Sequence, residues 1–134
     1  MSKKCIGLIE AVGLAAALQA ADSAVKSGNV KLLGYEYSGY DGHIVVKVEG
    51  NVGAVKASIA AAKASVSHVD SSRPTFSLGI LNAALDGSVY DTLIRNKNTV
   101  GDPLQIASGK RPQGTTRQAK WVGHWNPKGC YIRE

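Results

Sequence analysis

The chain has 134 residues, a formal net charge of +6 and two cysteines, so there is room for one small core. No stretch reaches the roughly 20 apolar residues of a membrane span. The N-terminus has no signal-peptide pattern, and two distant cysteines argue against a disulfide framework. We expect a soluble cytoplasmic protein.

The charge is unevenly distributed along the chain. Residues 1–94 hold eight basic and eight acidic residues, whereas residues 95–134 hold eight basic and two acidic ones. We therefore predict a neutral module over residues 1–95 and a basic extension with Gly, Pro and Trp over residues 96–134.

The first part of the module predicts a strand, a helix and two further strands. Residues 4–10 are short and apolar, as in a buried strand, and the period becomes helical from residue 14. Gly28-Asn29 predicts a left-handed helix stop. Residues 30–37 and 43–49 predict strands, the latter with alternating faces. The predicted buried positions are Leu14, Leu18, Ala21 and Val25 in the helix and Ile44, Val46 and Val48 in the last strand.

The second part predicts a helix, a strand and a short closing helix. Asn51 is a candidate N-cap, and residues 71–74 break the helix. Residues 75–81 predict a strand and residues 86–95 a short helix. The predicted helical seam consists of Val52, Val55, Ile59, Ala62, Val66 and Val69.

The order β-α-β-β-α-β predicts an α+β, ferredoxin-like split fold: a four-stranded antiparallel sheet with two helices on one face, followed by a short C-terminal helix and a basic tail. Both helices are rich in Ala and Val, which bury less apolar surface than Leu or Phe. The other sheet face is predicted to be bare. We therefore expect the module to complete its burial by oligomerising.

The sequence resembles the bacterial microcompartment shell domain. The resemblance is carried, in order, by residues 6–10 (IGLIE), 13–17 (GLAAA), 20–22 (AAD), 25–26 (VK), 33–36 (LGYE) and 48–56 (VEGNVGAVK). It is good over residues 4–70, loose over residues 71–95, and absent beyond them.

This resemblance implies a non-catalytic structural protein in the bacterial cytoplasm. Such proteins form cyclic homohexamers that tile edge to edge with other shell proteins, and small polar metabolites cross the shell through a central pore. A contact between two different patches closes into a ring when the rotation permits. No cofactor and no membrane partner is implied.

The resemblance places Lys26 and Asn29 at the hexamer edge. A simpler reading also exists, because a lysine in the last helical turn offsets the helix dipole by ~0.3–1 kcal/mol. The family's arginine partner follows the last strand in an Arg-Pro context. Here Arg73-Pro74 precedes that strand and Asn82-Ala83 follows it, so Arg73 is a weaker candidate.

The pore loop implied by the resemblance consists of Ser38, Gly39, Tyr40, Asp41 and Gly42. The same residues are also a hairpin turn, since Asp-Gly favours positive φ angles. The loop is one residue longer than the family's Gly-Ser-Gly-like pattern. Six copies of Tyr40 would narrow an opening, and six of Asp41 would favour cations or polar solutes over anions.

No pattern of catalytic or metal-binding residues stands out. His43 and His68 have no carboxylate cluster, second histidine or cysteine at ligand spacing, so we expect solvated histidines. No nucleophile–base pair or phosphate-binding loop is present.

The basic extension has several readings. Arg111, Arg117, Trp121 and Trp125 could interact with the bare sheet face, with an acidic partner such as an enclosed enzyme, or, less favoured, with nucleic acid. Metal binding by Cys130 would require thiols pooled from several subunits.

Two rival functions remain open at this point. The fold also serves small-molecule-sensing regulatory domains, which would form ligand-stabilised dimers or tetramers. A nucleic-acid-binding protein acting through its tail would show steeply salt-dependent binding.

Overall fold

A computed structural model describes residues 4–38, 42–67, 75–96 and 98–102. The elements confirm the predicted order and the α+β class. They are β1 Cys5–Val12, α1 Leu14–Ser27, β2 Lys31–Tyr37, β3 His43–Gly50, α2 Val52–Val66, β4 Phe76–Asn82, α3 Gly87–Val89 and a π-helical turn Tyr90–Ile94.

The four strands form one sheet in the order β2-β3-β1-β4. Every neighbouring pair is antiparallel, so β1 and β2 run parallel with β3 between them. This is the split βαβ arrangement. The described helices are all too short or too polar to cross a membrane.

The main core lies between the sheet and the two long helices. The alternation predicted for β3 is correct, because Ile44, Val46 and Val48 are buried. They pack with Ile9 of β1 and with the small residues of the helices. The alternate side chains of β3 face the other side of the sheet.

The predicted buried stripe of α1 is wrong. Leu14, Leu18 and Val25 are 41%, 54% and 38% exposed, and Ala21 is only partly buried. Small side chains occupy the buried face because they let α1 approach both the sheet and α2. The buried positions of α1 are Ala16, Ala17, Ala20 and Ala24.

The predicted N-cap of α2 is confirmed, whereas only some of the predicted buried positions of this helix are. The Asn51 side chain accepts a 2.8 Å hydrogen bond from the Ala54 amide. Val52 is exposed, Ile59 is partly buried, and Val69 lies outside the described residues. The buried positions are Val55, Ser58, Ala62 and Val66.

Gly28 ends α1, but not in the predicted left-handed conformation. Its φ and ψ angles are −136° and 149°, which is extended backbone. A Cβ atom at Gly28 would lie 2.5 Å from the Ala54 carbonyl oxygen and would clash with the Ser58 hydroxyl. Glycine is therefore needed here for the close approach of the two helices.

The predicted bare sheet face is partly covered by the chain itself. Ile6 of β1 and Leu33 of β2 are fully buried beside Ile94, with Leu85 and Tyr90 packed against them. The segment after β4 thus forms a second, smaller core. Contacts with the module continue beyond the predicted boundary at residue 95 as far as Asp102, which is fully buried.

Candidate pore loop and assembly surfaces

The two ends of the candidate pore loop are held by backbone contacts. The Ser38 amide and hydroxyl donate to the His43 carbonyl at 3.1 and 2.9 Å. Gly42 has φ +75°, and its carbonyl accepts from the Gly13 amide at 2.9 Å. The loop therefore begins and ends beside the N-terminus of α1. The three residues at its tip, Gly39, Tyr40 and Asp41, lie outside the described residues.

The candidate edge residues lie at the opposite end of α1. Lys26 is 72% exposed and pairs with Asp22 of the preceding turn at 2.7 Å, and Asn29 is also exposed. Fourteen helical residues separate the two ends, which corresponds to roughly 20 Å. Arg73 lies outside the described residues.

His43 is half-buried rather than freely solvated, which corrects the prediction. Its Nδ1 atom lies 3.3 Å from Glu10 Oε1, and its side chain is 26% exposed. His68 and the extension residues Arg111, Arg117, Trp121, Trp125 and Cys130 lie outside the described residues.

Lys47 forms a buried polar cluster that the sequence did not predict. Its amine donates to Glu36 at 2.7 Å and to Thr99 Oγ1 at 2.9 Å. It also donates to the carbonyls of Leu93 and Ile94. The residue is only 3% exposed. Because three of its acceptors are Leu93, Ile94 and Thr99, Lys47 holds the residues that follow β4, which we call the closing segment, against the sheet.

A second cluster of polar side chains lies at the C-terminal end of the described residues. Arg95 binds the Asp102 carboxylate through two nitrogens, at 2.8 and 2.6 Å, which is the strong bidentate geometry. The Asp102 hydrogen bonds raise the pKa of the Arg95 guanidinium, which therefore stays charged. Tyr90 donates to Glu49 at 2.7 Å, and its pKa is raised by burial and then by Glu49.

The same segment pairs with the edge of the sheet. The Tyr35 amide donates to the Val100 carbonyl at 3.0 Å, and the Val100 amide donates back at 2.7 Å. Gly34 has φ +131°, and a Cβ atom there would strike the Val100 carbonyl, so only glycine fits. Burial and contact with Tyr37 raise the pKa of Tyr35 to about 12.

Large apolar side chains are exposed on both sides of the sheet. On the helix side, Leu14, Leu18 and Leu32 are 41–54% exposed; we call these residues the helix-side patch. On the other side, Leu78, Ile80 and Leu93 are 46–59% exposed beside the partly buried Leu8. These four residues are the sheet-side patch. Such patches mark interaction surfaces.

Among the described residues, no group of three or more His, Cys, Asp or Glu side chains could hold a metal ion. Cys5 is buried, and burial raises the pKa of its thiol, which disfavours the reactive thiolate.

Comparisons with known proteins identify the family of the chain. Residues 5–74 match the BMC domain family. The chain is 48% identical over 69 residues to the bacterial microcompartment shell protein PduA of Citrobacter freundii, covering 52% of this chain and 73% of that protein. It is 36% identical over 109 residues to the carboxysome shell protein CcmK1 of Thermosynechococcus vestitus, covering 81% of this chain and 95% of that protein.

A solved structure shares the fold. The crystal structure of a microcompartment protein from Desulfitobacterium hafniense superposes with a TM-score of 0.56 at 26% identity, covering 66% of this chain. The chain spans only 45% of that protein. Since the family match covers more than half of this sequence, the chain belongs to the BMC domain family, as its sequence resemblance predicted.

Proposed function

We propose that this protein is a structural component of a bacterial microcompartment shell. In this proposal it forms cyclic homohexamers, the hexamers tile edge to edge with each other and with related shell proteins, and small metabolites cross through a central pore. Its membership of the BMC domain family and its similarity to two named shell proteins support this role.

The observation that carries the proposal is the exposure of two apolar patches on opposite sides of one small module. A monomer would leave Leu18, Ile80 and Leu93 about half exposed, which is unfavourable at ~25 cal/mol per Å² of apolar surface. Assembly into a ring would bury such patches.

The positions of the candidate loop and edge residues fit a ring. The loop adjoins the N-terminus of α1, and Lys26 lies at the other end. If the loop surrounds the axis, Lys26 lies at the rim, where a neighbouring ring can be reached. Six loops around one axis would put six copies of Tyr40 and Asp41 near the opening, and the carboxylates would favour cations or polar solutes.

The basic extension suggests an additional partner. Residues 103–134 hold six basic residues and one acidic residue. Charge of one sign attracts a surface of the opposite sign. We propose that the extension, through Arg111, Arg117, Trp121 and Trp125, contacts an acidic partner such as an enclosed enzyme.

The test is the assembly state of the purified full-length protein. Light scattering coupled to gel filtration should give a mass about six times the 14.0 kDa of one chain, and electron microscopy of concentrated samples should show flat sheets. A monomer that persists at micromolar concentration would contradict the proposal. So would a ligand-dependent dimer, which a regulatory domain would form.

A further inference from the structure

We propose that His43 is the positioning residue of the candidate pore loop, and that its pairing with Glu10 makes the position of this loop depend on pH. The inference rests on the proposed function, because the loop affects passage only if it lines a pore. The loop is held most firmly when the imidazole is protonated. Passage of solutes therefore changes between about pH 5 and about pH 8, the range in which histidine changes its charge.

The two ends of the loop are joined at residue 43. The His43 carbonyl accepts both the amide and the hydroxyl of Ser38, at 3.1 and 2.9 Å. The residue before it, Gly42, accepts the Gly13 amide through its own carbonyl at 2.9 Å. A displacement of residue 43 would therefore disturb the contacts at both ends of the loop, and a side chain that fixes residue 43 fixes the loop.

The imidazole ties residue 43 to the neighbouring strand. Its Nδ1 atom lies 3.3 Å from Glu10 Oε1. The register places Val12 opposite His43, so Glu10, two residues earlier on β1, occupies a diagonal position on the same side of the sheet. The two side chains are 26% and 25% exposed. Solvent and salt therefore screen this pair less than a pair on the open surface.

The neighbouring strands bring no competing charge to this pair within the described residues. Glu36 of β2 faces the same side of the sheet as His43, but its carboxylate is bound by Lys47 at 2.7 Å. On β4, the apolar Leu78 lies opposite Glu10. Among the described residues, Glu10 is therefore the carboxylate that responds to the charge of the imidazole.

Protonation changes the strength of the contact between His43 and Glu10. A protonated ring is a charged donor, and hydrogen bonds of charged groups are about twice as strong as those of neutral groups. A neutral ring can donate through Nδ1 in only one of its two tautomers. A rise in pH therefore weakens the contact that fixes residue 43, and the ends of the loop should open more often.

Hydrogen exchange of the full-length protein measures this opening. Protection factors, which correct for the intrinsic effect of pH on exchange, are compared at about pH 5.5 and about pH 8. The Ser38 and Gly13 amides should lose protection about three- to tenfold at the higher pH, as expected for a partly screened ion pair. The Val100 amide, which pairs with Tyr35 away from the loop, should keep its protection.

Four variants identify the groups responsible. His43→Gln keeps an amide donor but cannot titrate, so its protection factors should be equal at the two pH values. Glu10→Gln removes the charge of the acceptor and should also abolish the difference. His68→Gln removes another histidine of the module and is the matched control, and Asp41→Asn removes the carboxylate of the loop itself. Both should keep the dependence on pH, and circular dichroism establishes that every variant is folded.

The same pattern should appear in the passage of solutes. The activity of reporter enzymes enclosed in the shells, divided by that of the free enzymes at the same pH, should differ between the two pH values. In His43→Gln shells the ratio should be constant. A purely structural role of the histidine would change this ratio equally at both pH values.

Three results would overturn the inference. Protection of the Ser38 and Gly13 amides that does not depend on pH would show that the loop is not held by a titrating group. An unchanged dependence in His43→Gln would assign the titration to another residue. A dependence that survives in Glu10→Gln but is lost in Asp41→Asn would place the charged partner in the loop. If exchange behaves as expected but no rings form, the proposed function fails while the pairing of His43 with Glu10 stands.

Discussion

Ser58 of α2 donates a 2.9 Å hydrogen bond to the backbone carbonyl of Ala24 in α1, and both residues are fully buried. The same carbonyl accepts the Gly28 amide that ends α1. One oxygen therefore joins the two helices beside Gly28, and the buried Ser58 hydroxyl is satisfied there.

Gly28→Ala should destabilise the protein by about 1–3 kcal/mol, the usual range for overpacking a core. The added Cβ would meet the Ala54 carbonyl at 2.5 Å. Gly53→Ala is the control, since its Cβ would find only an ordinary contact at 3.6 Å. Denaturant unfolding measures both variants. Equal stability of the two would contradict the steric argument.

Lys47→Met should loosen the closing segment. Glu36 would lose its charged partner and keep the Asn96 amide, and the carbonyls of Leu93 and Ile94 would lose a donor. Because Glu36 is 27% exposed, we expect a cost of about 2–3 kcal/mol, below that of a fully buried pair. Hydrogen exchange at the Val100 amide should accelerate more than at Ala54. Lys56→Met, at an exposed position, should change neither; uniform acceleration across the chain would contradict the local role.

The stability of the protein should fall as the pH rises from about 10 towards about 12. An unfolded tyrosine loses its proton near pH 10, whereas burial raises the pKa of Tyr35 to about 12. Between these values the unfolded state binds fewer protons, so the free energy of unfolding decreases with pH. Tyr35→Phe should flatten this dependence in thermal unfolding at several alkaline pH values. If the dependence of stability on pH is unchanged in Tyr35→Phe, Tyr35 is not its cause.

Lys26→Ala should leave rings intact and abolish flat sheets. The Lys26–Asp22 pair is exposed, and such pairs contribute ~0.3–0.5 kcal/mol, so folding should be nearly unaffected. Light scattering gives the ring mass and electron microscopy shows the sheets, with Lys56→Ala as the control. If Lys26→Ala still forms normal sheets, Lys26 only offsets the helix dipole at the end of α1.

Tyr40→Ala and Asp41→Asn should alter the passage of small charged solutes through assembled shells without changing ring mass. Removing the six tyrosine side chains of a hexamer widens the opening, and removing the six carboxylates lowers the preference for cations. The activity of reporter enzymes enclosed in the shells measures the flux of solute, with Gln19→Ala as a control. If both loop variants show the flux of the unmodified protein, the loop does not control permeation.

Local patterns in the sequence were sufficient to predict the element order, the alternation of β3 and the Asn51 cap. Each depends on residues close in sequence. The buried face of α1 could not be found in this way, because hydrophobicity favours Leu14 and Leu18 over alanine. Their exposure follows from packing distance, since only alanine lets α1 lie against α2 and the sheet.

The helix at residues 86–95 was predicted, but the packing of the closing segment against the sheet was missed, for a different reason. Lys47 and Glu49 occupy the face of β3 that the pattern assigns to solvent, and nothing near them in sequence indicates burial. Besides Glu36 and Lys4, their partners lie about 40 to 50 positions further along the chain: Tyr90, Leu93, Ile94 and Thr99. Only the fold brings Arg95 and Asp102 together beside them. The loop tip and the extension remain predictions from sequence.

The pairing of Val100 with Tyr35 also limits how copies of this chain can join. It occupies part of the outer border of β2, where a foreign strand would otherwise add through main-chain bonds. Within the described residues, the rest of the outer border of β2 and the outer border of β4 have no strand partner. Continuous strand-by-strand growth needs two free borders on every molecule. The bridge thus shortens one border at which a strand of another molecule could add, while the side-chain surfaces of the module stay available for ordered association.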